Sequence, residues 1–161
     1  MRTEAAKLVT FRLGDDLFAA DIFAVERVLR FQQPTTVPDM PDWIEGVVEY
    51  QKRVVPVISL RKRFELPGME ARPETRILVL NAGGEWIGAI VDAVIEVSGV
   101  QQEQLSDPPT LFRGLSGEFL KGIVRHDEKL VIVLDVEKLL ATTVRMVLER
   151  AEGEGEAVTR G

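Results

Sequence analysis

Apolar and polar residues alternate along Leu8, Phe11, Leu13, Leu17 and Ala19, and the run is interrupted by Gly14-Asp15-Asp16. Period-two alternation broken by a turn triplet predicts a β-hairpin with one buried face. Residues 22–29, IFAVERVL, carry β-branched Val25 and Val28, which points to a short helical turn running into a strand. In QQPTTVPDMP, Pro34, Pro38 and Pro41 exclude both helix and central strand, so the segment reads as turns. Trp43 to Gly46 reads as a brief turn, 46–60 as two strands joined around Gln51-Lys52-Arg53, and LPGMEARPE as a connector. Leu139, Leu140, Val144, Val147 and Leu148 have helical spacing and predict a terminal helix up to about Ala151, followed by the frayed tail EGEGEAVTRG.

The pattern occurs twice. Sliding the chain by 69 positions lays Gly14 on Gly83, Leu17 on Trp86, Ala24 on Ala93, Val25 on Val94 and Val28 on Val97. Sliding by 76 lays WIEGVVEYQKRVVPVISLRKRF on FLKGIVRHDEKLVIVLDVEKLL without a gap. The difference falls in a connection where the second copy carries SDPPTLFRGLSG, and loops absorb insertions cheaply. Two strand-rich copies of about 65 residues predict two small β-barrels packed together, each closing its few strands to hide its edges. Pro56 lies inside one valine-rich strand; it has no N–H to donate, so it belongs on an edge strand or at a bulge, as edge protection or as a partner contact.

Composition narrows the chemistry. The chain has one histidine and no cysteine, which removes disulfides and thiolate catalysis and leaves little for a nucleophile–base pair. His126 stands in a hairpin where the first copy has Tyr50 and reads as a solvated turn residue. Asp15-Asp16 and Asp127-Glu128 also fall in turns, without the spacing of a calcium loop, and the glycines of NAGGEW and RGLSGEF match no phosphate-loop or dinucleotide fingerprint. The reading is therefore no catalytic residue, no metal and no cofactor. No apolar run approaches the roughly 20 residues of a membrane helix, and the start has no signal-peptide pattern. Lys52, Arg53, Arg61, Lys62 and Arg63 form a basic cluster that keeps open a small-barrel nucleic-acid binder, but the net charge of −6 and the scarcity of aromatics favour protein partners.

The run IEGVVEYQKRVVPVISLRKRF, then IGAIVDAVIEV, then FLKGIVRHDEKLVIVLDVEKLL resembles the CheW family of chemotaxis coupling proteins, from Leu8 to Leu140. The resemblance implies an all-β fold of two SH3-like five-stranded subdomains with short helices and a C-terminal helix. These would make one domain over 1–150, with subdomains at about 7–70 and 71–140, exchange of terminal strands left open, and a flexible tail at 151–161. It also implies a non-enzymatic cytoplasmic adaptor, associated with membrane-bound receptor arrays, that bridges methyl-accepting chemoreceptor tips and the regulatory domain of a CheA-type histidine kinase. A CheW-like scaffold of a non-flagellar pathway, controlling pili or gene expression, is the alternative. By position the receptor groove would include Val25, Arg27, Gly46, Gln51, Ile77, Val94 and Val97, and the kinase contact Arg53, Pro56 and Arg61.

The chain departs from the family's usual residues in three places. Glu49-Tyr50-Gln51-Lys52 stands where the family usually has Asn-Leu-Arg-Gly, Arg27 where it usually has glutamate, and Ser59 where it usually has aspartate; Arg61 is retained. A glutamate and an arginine that could pair across the groove are thus altered together, which implies a partner specificity different from the common type.

Overall fold

A computed structural model describes residues 4–101, 104–107, 111–112, 115–116, 119–126, 128–143 and 145. The strands are β1 (Glu4–Leu13), β2 (Asp16–Asp21), β3 (Val25–Arg30), β4 (Ile44–Tyr50), β5 (Arg53–Ser59), β6 (Arg76–Ala82), β7 (Glu85–Val91), β8 (Ala93–Gln101), β9 (Leu105–Ser106), β10 (Leu111–Phe112), β11 (Leu115–Ser116), β12 (Leu120–His126) and β13 (Lys129–Leu134). A 3-10 turn at Ile22–Ala24 separates β2 from β3, and helix α1 (Leu60–Arg63) follows β5. Residues 136–143 form a second helix, α2; the rest of the expected terminal helix and the tail lie outside the described residues. The strand at Ile44 replaces the turn expected from Trp43 to Gly46.

One sheet has the order β3-β6-β7-β5-β4 and the other β8-β1-β2-β13-β12-β9. They are the same sheet built twice. Val28 pairs with Leu78 as Val97 pairs with Val9, and Val47 pairs with Pro56 as Ile123 pairs with Ile132. Even the irregularities repeat: the register shift between Ile44 and Gly46 recurs between Leu120 and Gly122, and the one between Val25 and Arg27 recurs where β8 meets β1 at Phe11.

The sheets do not divide the chain near residue 70. Hairpin β1–β2, from the first copy, joins strands of the second, and hairpin β6–β7 joins strands of the first. Connector length explains the exchange. Within its own copy β3 would have to lie beyond β1 and parallel to β2, a crossover that takes about a dozen residues or more. Only three residues link β2 to β3, and Asp92 alone links β7 to β8. The chain therefore passes directly from one sheet into the other at each of these points.

The sheets stay open, contrary to the expected closed barrels: β3 and β4 end one, β8 and β9 the other. The outer edge of β4 is covered by Thr35, which exchanges hydrogen bonds of 2.8 and 2.9 Å with Val47, and β9 covers β12 in the corresponding place. Among the described residues the outer edges of β3 and β8 carry no ladder.

Pro56 is not on an edge strand. Val47 spends its N–H and C=O on Thr35, so the facing Pro56 is a non-hydrogen-bonded pair whose nitrogen turns toward β7. In the other sheet the parallel ladder begins at Val131; here it begins at Val57, one residue after the proline. The missing donor falls where the ladder has not yet started.

Three apolar clusters hold the fold. Leu8, Ala19, Val100, Val124, Val131 and Val133 fill one sheet's concave side, and Val48, Val55, Val57 and Ile77 fill the other's. The largest lies between the sheets: Phe11 and Phe18 of one stack at 6.1 Å, and Phe18 meets Phe64 of the other at 5.4 Å. Full burial of such rings, at about 3–5 kcal/mol per Phe→Ala, makes the two halves one body.

Candidate functional site

The unladdered edges carry exposed apolar side chains. On the face that meets the shared core, Val28 of β3 continues the buried row Leu78, Ala89, Ile58, and Val97 of β8 continues Val9 and Ala20. Val28 is 40% exposed, Val97 54% and Ile95 47%. Val25 and Val94, at the starts of the same strands, are half-buried and pack on the shared core. Each edge thus carries a pair of valines, Val25 and Val28 on β3 and Val94 and Val97 on β8, beside the body of the protein.

At Arg27 of β3 a polar cluster replaces the apolar surface. Arg27 donates through Nε to the Tyr50 hydroxyl at 3.1 Å, and Gln51 donates through Nε2 to the same oxygen at 3.1 Å. The Tyr50 ring leans on Trp86 at 5.6 Å, and the Arg53 guanidinium lies 3.7 Å over Trp86 while Nη2 donates to the Gly84 carbonyl. In the other sheet the corresponding place holds Glu96 and His126, 3.1 Å apart.

The third feature binds the sheets to each other. Arg61 donates to Asp92 through Nε at 2.8 Å and Nη2 at 2.6 Å, and through Nη1 to the Pro67 carbonyl. Asp92 also accepts from the Gly14 amide at 2.8 Å and donates its own amide to the Arg12 carbonyl. Burial pushes the Asp92 carboxyl up, but donation from Arg61 and Gly14 and the guanidinium charge outweigh it and hold its pKa below the usual value; hydrogen bonding to Asp92 raises that of Arg61. Sequence repetition puts Phe23 and Glu137 in place of Asp92 and Arg61, and there Phe23 is 93% exposed beside a depression lined by Asp21, Lys121 and Asp135. The clamp exists on one side only.

The CheW-like domain family model matches residues 7–144. The chain belongs to the CheW-like domain family. It is 33% identical over 145 residues to the chemotaxis protein CheW of Treponema pallidum, covering 86% of this chain and 84% of that protein. It is 32% identical over 140 residues to CheW of Klebsiella aerogenes (87% and 84%), and 28% identical to the protein FrzA of Myxococcus xanthus (87% and 88%). The crystal structure of the scaffolding protein TtCheW from Thermoanaerobacter tengcongensis matches with a TM-score of 0.77 and 31% identity, covering 84% of this chain and 86% of that one.

Set on this CheW-like domain, the residues singled out from sequence separate into three groups. Val25 lies on the β3 edge, Val94 and Val97 lie on the β8 edge, and Arg27 and Gln51 meet at Tyr50. Ile77 does not reach the surface: it is 0% exposed, because its strand position faces the concave cluster with Val55 and Val57. Gly46 serves the backbone. At φ 143 it lets Thr35 approach so closely that a Cβ would sit 2.1 Å from the Thr35 carbonyl oxygen. Of the residues expected to contact the kinase, Arg53 is exposed but engaged by Trp86 and Gly84, Pro56 lies inside the sheet, and Arg61 is the clamp.

Ser59 caps α1, accepting from the Lys62 amide at 3.2 Å, as Asp135 caps α2 from Lys138 at 3.1 Å. Serine at this position therefore keeps the cap. Val28 and Ile95 extend the apolar edge and were missed in sequence; laying Val28 on Val97 was the signal that could have found the first. Among the described residues no helix is long and apolar enough to cross a membrane, and no three His, Cys, Asp or Glu side chains group as metal ligands.

Proposed function

We propose that this CheW-like domain is a non-enzymatic adaptor that couples methyl-accepting chemoreceptors to a CheA-type histidine kinase in a cytoplasmic array beside the membrane. The observation that carries the reading is the pair of open edges, β3 and β8, with half-exposed valines above a core that locks both sheets into one body. In this reading the two edges wall one apolar cleft that takes the apolar stripe of a helical partner, while the body behind it holds a second partner at fixed geometry. The similarity to chemotaxis CheW proteins and to the scaffolding protein TtCheW supports the same reading. The receptor tip occupies the cleft of Val25, Val28, Val94 and Val97, and the kinase regulatory domain binds elsewhere on the body.

The test is co-sedimentation of the full chain with receptor-containing membranes from the same organism, alongside capture on the kinase regulatory domain. Val94→Asp and Val25→Asp place a charge at the cleft wall and lower receptor binding at least tenfold with kinase capture unchanged. Folded variants that keep full receptor binding contradict the assigned cleft.

A further inference from the structure

We infer that Arg27, held by Tyr50 at the edge of the cleft, is a specificity determinant that selects a partner carrying an aspartate or glutamate side chain opposite it. This rests on the adaptor reading above and names the chemistry of the partner at that site. Three observations carry it. Arg27 is exposed, and no carboxylate of the described residues lies within 4.0 Å of its nitrogens; its bond to the neutral Tyr50 hydroxyl orients the guanidinium and leaves its charge uncompensated. The Tyr50 oxygen already accepts from Gln51 as well, so the cluster presents donors outward. The register shift between Val25 and Arg27 sets the arginine opposite Val79, on the face of β3 that looks toward Tyr50, one position before the exposed Val28.

The turn that builds the cluster is conformationally costly. Gln51 and Lys52 both adopt positive φ, 49° and 63°, a pair of conformations that glycine or asparagine takes more cheaply. The hairpin between β6 and β7 uses Gly83 and Gly84 for the same purpose. The repeat counterpart between β12 and β13 also carries a positive φ, 66° at Glu128, so what distinguishes the Gln51-Lys52 turn is its side chains. Around it stand Tyr50, Trp86, Arg27 and Arg53, the residue types that dominate binding hot spots, whereas the corresponding positions of the other sheet hold His126, Leu17, Glu96 and Lys129. A planar guanidinium beside an apolar wall fits a helix whose apolar stripe fills the cleft and whose flanking carboxylate meets Arg27.

The test measures binding of the folded full-length chain to receptors of the same organism in their native membranes, for wild type, Arg27→Gln, Arg27→Glu and Val94→Asp. Arg27→Gln is expected to weaken binding about tenfold and Arg27→Glu about a hundredfold, with a shallower salt dependence for Arg27→Gln. Changing the opposing receptor carboxylate to arginine, selected as a suppressor, restores binding by Arg27→Glu. If Val94→Asp loses binding and Arg27→Glu keeps it, the inference is overturned and the adaptor reading stands. If both variants bind as wild type does, the cleft assignment falls with it. Suppressors of Arg27→Glu that all map to apolar or basic receptor residues overturn the inference as well.

Discussion

Replacing Asp92 with alanine tests how the two sheets are held together. The substitution removes both Arg61 contacts, 2.8 and 2.6 Å, and leaves the Gly14 amide without its acceptor. The side chains are 16% and 7% exposed, so the surviving guanidinium is largely shielded from water. Breaking a buried pair from one side costs about 3–5 kcal/mol. Arg61 keeps the Pro67 carbonyl at 2.8 Å and reaches some water, which places the cost near the lower figure, about 3 kcal/mol. For a chain of this size that is a drop in Tm of about 6–12 °C. Urea unfolding followed by fluorescence of Trp43 and Trp86 gives the free energy directly, and the double variant Asp92→Ala, Arg61→Met closes the cycle. The double variant should recover about half of the loss, since no unpaired charge remains. A single-variant loss below about 1 kcal/mol, or a coupling energy near zero, refutes the clamp.

Acid should weaken the same clamp. The folded pKa of Asp92 lies below its unfolded value, so its contribution is fully present above about pH 4 and is lost as pH falls through the folded pKa; the wild type should lose stability relative to Asp92→Asn over that range in pH-dependent urea titrations, and parallel curves would contradict the assignment. Gly46→Ala should cost about 2–4 kcal/mol, because its Cβ meets the Thr35 carbonyl oxygen and its φ is 143°. Gly122→Ala, 3.1 Å from the Ser106 carbonyl oxygen, should cost less in the same melts. Pro56→Ile supplies the residue its repeat counterpart Ile132 has; the new amide should be protected in hydrogen exchange by β7, with a stability change within about 1 kcal/mol.

The duplication and the hairpins were legible because alternation and turn residues are local. The partner of each hairpin was not. Matching Leu17 to Trp86 shows that two strands are alike, and either sheet could bury them; only the length of the connections before β3 and β8 excludes pairing within a copy. Ile77 was misplaced because its neighbours on both faces are buried, so its burial does not tell which cavity it lines. Arg61 read as a surface cation because Asp92 lies 31 residues away, and Gly46 read as part of a groove because Thr35, on a proline-rich segment, gives no strand signal. Arg27 and Gln51 were found together as departures from a familiar pattern, but the hydroxyl joining them, Tyr50, was visible only in three dimensions.

The central claim is that one rigid two-sheet body holds two other proteins at once. Analytical ultracentrifugation of the full chain mixed with a soluble receptor-tip hairpin and the kinase regulatory domain tests it most directly. A ternary complex that loses the hairpin but keeps the kinase domain on Val94→Asp is the predicted result. Mutually exclusive binding of the two proteins to the wild-type chain would contradict it.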